Sequence, residues 1–75
     1  MTTPPPLTGA DWLARFAAAL DTEAPSPAVI DQLLDLAGAA AHGSERIAAP
    51  IACYLVGVTG MDPDQALTLA RTIAH

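Results

Sequence analysis

Two short strings, Ser26-Pro27 and Asp62-Pro63-Asp64-Gln65, constrain this chain more than any other feature. Each sets a helix-capping side chain directly before a proline. The capping oxygen takes a free amide of the first turn, and proline at the first helical position gives up an N–H that would lack a partner there. In the second string Gln65 follows Asp62 by three residues and completes a capping box. Thr8, with Asp11 three residues on, approximates a third start. No stretch alternates apolar and polar residues as a half-buried strand would.

These signals predict an all-α chain, a compact antiparallel bundle of four short helices. Residues 1–7 are Pro-rich and are expected to form a flexible N-terminal arm, leaving 8–75 as a single four-helix domain. Helix one is expected over Gly9–Leu20, with Trp12, Leu13, Phe16 and Leu20 on one face. Helix two is expected over Pro27–His42. Its apolar stripe is Val29, Ile30, Leu33, Leu34, Ala37 and Ala41, and Gly43 closes it in the left-handed conformation. Ala49 precedes a proline, a position that disfavours helical geometry. The regular part of helix three is therefore expected at Pro50–Gly60, with Ile51, Tyr54, Leu55 and Val58 at helical spacing. A rival reading starts it near Ser44 or Glu45 and kinks it at Pro50. Gly57 and Gly60 weaken this helix but offer close approach to another backbone. Helix four is expected to run to Ala74, with Ala66, Leu67, Ala70 and Ile73 inward and Leu69 off the stripe.

Seventy-five residues form one domain at most, and a core of this size rarely supplies more than about 3–5 kcal/mol. The chain is 52% hydrophobic and only 15% charged, where ordinary domains carry about 25% charged residues. Too few charges exist to cover a monomer, which favours self-association or docking onto another protein. The net charge of −5, with three arginines and no lysine, argues against nucleic acid and anionic membranes as partners. The single cysteine, Cys53, cannot form an internal disulfide. The N-terminal MTTPPPLTG lacks the marks of a secretory signal, and the apolar run Ile47–Met61 is too short to span a bilayer. A cytoplasmic protein is expected.

The segment His42–Gly57, HGSERIAAPIACYLVG, holds most of the candidate chemistry. His42 stands at the end of helix two, where an imidazole can bond the last carbonyls and complement the helix dipole. Beside Arg46 and Glu45 it could instead meet a ligand. Arg46 is the first choice for an anion contact, since a guanidinium grips carboxylate or phosphate with two parallel bonds. Structural pairing of Arg46 with Glu45, Asp31 or Asp35 is the plainer alternative. Tyr54 offers an apolar body with a polar tip. Cys53, in an apolar run, reads as a small core residue. Trp12 and Phe16, one turn apart, read as anchors of helix one. His42, His75, Cys53 and Glu45 match no zinc spacing, so no metal is expected. Neither a phosphate-cradling glycine loop nor a nucleophile–histidine–acid order occurs, so no catalytic residue and no cofactor are assigned.

The motifs Asp11-Trp12-Leu13, Leu33-Leu34-Asp35-Leu36-Ala37, Ala41-His42, Arg46-Ile47-Ala48-Ala49-Pro50 and Tyr54-Leu55-Val56-Gly57 resemble those of DUF6457, a family of small actinobacterial helical domains of unassigned function. The resemblance covers roughly residues 11–60. It marks Trp12, His42, Arg46, Pro50, Leu55 and Gly57 as family-motif positions. Many members carry proline directly after the arginine, where this chain has Ile47. Members occur beside, or fused to, molybdenum cofactor guanylyltransferase-like proteins. The resemblance therefore implies a non-catalytic accessory role in molybdopterin guanine dinucleotide biosynthesis, with a nucleotidyltransferase as partner. The alternative from the residues is a small anionic-ligand binder, or auxiliary enzyme part, using His42 and Arg46.

Overall fold

The computed structural model describes residues 7–73. Most of the Pro-rich arm, the final residue expected of helix four (Ala74) and His75 lie outside the described residues. Four α-helices follow in order: α1 Gly9–Ala19, α2 Pro27–Gly43, α3 Ala48–Thr59 and α4 Pro63–Ile73. Among the described residues there is no strand, and the all-α class with four helices stands as the sequence predicts.

The helix starts are local events. The Asp11 amide donates to Thr8 Oγ1 at 3.0 Å, the Val29 amide to Ser26 Oγ at 3.3 Å, and the Gln65 amide to Asp62 Oδ2 at 3.3 Å. Each bond satisfies a first-turn donor that the helix itself cannot reach. α3 alone has no side-chain cap. It is entered through a tight corner in which Ala48 and Ala49 donate to the carbonyls of Glu45 and Arg46 at 2.9 and 3.2 Å. The helix begins two residues before the expected Pro50. Pro50 lies in the first turn, where an amide hydrogen has no helical acceptor, so its ring costs no bond. Helix three is therefore neither delayed to Pro50 nor started at Ser44.

The helix ends differ more from expectation. Gly43 is the last residue of α2 and is not left-handed; Ser44 caps it instead, with amide and hydroxyl both donating to the Ala40 carbonyl at 3.1 and 2.9 Å. The left-handed positions among the described residues are Asp21, at φ 61°, and Gly60, at φ 71°. Asp21 closes α1 in a Schellman turn: the Thr22 amide donates to the Ala17 carbonyl and the Asp21 amide to that of Ala18, at 2.9 and 3.0 Å. Ala17, the residue under this turn, is the buried position of α1.

α2 is the centre of the fold, packing against both α3 and α4, while α1 has no packing partner of similar extent. The chain measures 53 × 25 × 19 Å with a radius of gyration of 14.5 Å, against about 11 Å for an average globule of this length. The core is correspondingly small: Leu36 at 2% exposure is its centre, with Ala66 and Leu67 from α4 also buried. Leu36 lies outside the stripe expected of α2. On α4, Ala66 and Leu67 face inward and Leu69 outward as predicted, but Ile73 is 76% exposed and is not a core residue.

The outer surface carries the apolar excess. α3 turns its smaller side chains, Ala52, Cys53 and Val56, towards the fold and leaves Ile51, Tyr54, Leu55 and Val58 exposed. Trp12, Leu13, Phe16 and Leu20 of α1 are exposed too. Trp12 and Phe16 therefore do not anchor α1 to a core. The close approach expected at Gly57 is likewise absent: a Cβ there would meet nothing within 4 Å.

Candidate functional site

His42, at the last turn of α2, lines a shallow groove of about 420 Å³ between α2 and α4. Asp35, Gly38 and Ala39 form its α2 wall, and Ala70 and Arg71 its α4 wall. The cation that joins His42 is thus Arg71, from the last turn of α4, and Arg46 does not line this groove. Both residues stand at helix C-termini, where positive charge complements the partial negative charge of free carbonyls. That geometry serves the helix ends. Asp35 in the α2 wall sets one carboxylate against the Arg71 guanidinium, so the lining has no charge excess suited to an anion.

Arg46 is exposed in the corner between α2 and α3. The adjoining surface groove, about 670 Å³, is lined by Ser44, Glu45, Ile47, Ala48, Ile51, Ala52 and Leu55 and is largely apolar. His42 and Arg46, which the alternative ligand-binding reading pairs, line no common groove among these. Tyr54 is 66% exposed on the outer face of α3, next to Leu55. Among the described residues the side-chain hydrogen bonds are helix caps, hydroxyls of Ser and Thr returning to their own helix, and one cysteine contact; none involves His42, Arg46 or Tyr54. The cysteine contact is structural: Cys53 Sγ lies 3.8 Å from the Leu33 carbonyl oxygen, seating α3 on α2. Among the described residues no three His, Cys, Asp or Glu side chains gather as a metal would require, and no helix is long and apolar enough to cross a membrane.

A third concavity is apolar. It lies between α3 and α4 over the core residue Leu36, measures about 250 Å³, and is lined by Leu55, Val56, Met61, Leu69, Ala70 and Ile73 among others. Residue-level reading of the sequence marked neither this groove nor Arg71. The excess of apolar over charged residues was the signal for the groove; no local signal linked Arg71 to His42, since only the packing of α4 on α2 brings them together.

Helices of this kind, with apolar outer faces and no assembled set of reactive groups, define a class of small helical domain. The chain belongs to DUF6457, described as a domain of unknown function, whose family model matches residues 5–61. That span includes Trp12, His42, Arg46, Pro50, Leu55 and Gly57 and ends as α4 is about to begin. No curated protein matches the chain. No solved structure matches it either.

Proposed function

We propose that this chain is a non-catalytic helical interaction module that serves molybdenum cofactor biosynthesis by docking onto a nucleotidyltransferase of molybdopterin guanine dinucleotide assembly. The observation that carries the docking is the apolar groove between α3 and α4, with Met61 40%, Leu69 52% and Ile73 76% exposed around it. Side chains of that size seldom stay in contact with water over a contiguous patch on a monomer. The choice of partner rests on the family likeness and on the acidic charge, which turns the chain away from nucleic acid and anionic lipid. The reaction is the partner's, and this chain contributes surface. The protein is read as cytoplasmic, where that cofactor is assembled.

The test is calorimetric titration of the chain into a molybdenum cofactor guanylyltransferase. Saturable binding is expected, with Leu69→Asp weakening it at least tenfold. Absence of binding at tens of micromolar would remove the reading. The anion-binding alternative has less support, because His42 and Arg46 line no common groove among those described.

A further inference from the structure

Two apolar faces of the chain, one on α1 and one on α3, are exposed. α1 presents Trp12, Leu13, Phe16 and Leu20, between 38% and 61% exposed. α3 presents Ile51, Tyr54, Leu55 and Val58, between 54% and 66% exposed, and contains no charged residue anywhere along its length. We infer that α1 of one copy packs on the outer face of α3 of a second copy, and reciprocally, so that the chain works as a two-fold dimer with exchanged first helices. The inference rests on the interaction-module reading; it shares Leu55 with the α3–α4 groove and leaves Met61, Leu69 and Ile73 for the transferase.

Area decides between one such contact and two. Aromatic side chains bury about 150–250 Å² each, so the exposed parts of the four α1 side chains offer about 400 Å², and those of α3 about as much. A single α1–α3 contact would bury at most about 800 Å² over both surfaces, below the ~1,000 Å² that a specific interface needs, whereas a reciprocal pair has up to about 1,600 Å² to bury, the standard size. A foreign partner that covered α1 alone would leave α3 bare. A second copy covers both faces with one symmetric arrangement.

The connection between α1 and α2 favours exchange over folding back. The Schellman turn at Asp21 sets the direction in which the chain leaves α1. Pro25 and Pro27 then bracket Ser26, which is extended at φ −63° and ψ 158°. A residue before proline is held away from helical geometry, so this connection acts as a short strut that keeps α1 off its own α2–α4 unit.

Sedimentation equilibrium of the full chain, with Trp12 emission read across the same concentrations, tests the inference. The expected result is twice the 7.7 kDa chain mass at micromolar concentration, with emission shifting red as dilution gives monomer. Phe16→Asp and Tyr54→Asp alter residues that are exposed in the single chain, so each should keep its helical circular dichroism and raise the dissociation constant at least tenfold. A monomer with blue, concentration-independent Trp12 emission would mean that α1 closes on its own chain and would overturn the inference. So would a monomer with red emission or an assembly larger than two. Transferase binding through Leu69 is measured separately, so its success alongside a monomer would sink the dimer and spare the proposed function.

Discussion

Trp12 and Phe16 stack ring on ring, 5.0 Å between centroids and 25° between planes, on a face of α1 that water reaches. Two aromatic rings one turn apart ordinarily signal a helix seated in a core. Here they steady each other on a helix that has no core to enter within its own chain. At dilutions where the chain is monomeric, Phe16→Ala should cost less than about 1 kcal/mol, against the 3–5 kcal/mol typical of a buried phenylalanine. Chemical denaturation followed by circular dichroism measures it.

Leu36 is the opposite case. At 2% exposure it is the most buried of the core residues. Leu36→Ala should cost about 2–5 kcal/mol, comparable with everything a core of this size supplies. The variant is expected to be largely unfolded at 25 °C, with loss of helical circular dichroism.

Gly57 and Gly60 should respond in opposite directions to the same change. A Cβ at Gly57 meets open space inside a helix, so Gly57→Ala should stabilise the monomer by about 1 kcal/mol. Gly60 ends α3 at φ 71°, where an L side chain crowds the carbonyl, so Gly60→Ala should destabilise by about 1–2 kcal/mol. Thermal melts of the two variants against the parent chain decide both signs.

Asp21 holds a left-handed position that glycine occupies more readily. Asp21→Gly should relieve local strain, with a net gain of no more than about 1 kcal/mol because glycine also loosens the unfolded chain. Amide exchange at Thr22, whose N–H closes the turn on Ala17, is expected to slow.

Much of this architecture was readable because helix starts are written in four-residue strings. Thr8, Ser26 and Asp62 each make the bond their position promised. Pro50 shifted the start of α3 by two residues, because proline is tolerated anywhere in the first turn and its own position does not mark the boundary. The inward face of α3 was not readable. Ile51, Tyr54, Leu55 and Val58 form a perfectly spaced stripe, but Ala48, Ala52 and Val56 form another. Periodicity finds a face and cannot say which side of an all-apolar helix turns inward; here the smaller residues turn towards α2. His42 and Arg46 lie close in sequence, yet Arg46 does not line the His42 groove, while Arg71 reaches it through the α2–α4 packing. Pairings of that kind exist only once the tertiary contacts do.

Because α3 and α4 both lean on α2, a change of length within α2 weighs more than one in the α1–α2 connection. One residue inserted within α2 would rotate everything beyond it by about 100°, parting the side chains that meet α3 from those that meet α4. The same insertion between Thr22 and Ser26 lengthens the strut and leaves the contacts of α2 with α3 and α4 in place. Related chains should therefore differ in how far α1 stands from the rest, while the spacing from Leu33 to Ala40 stays fixed.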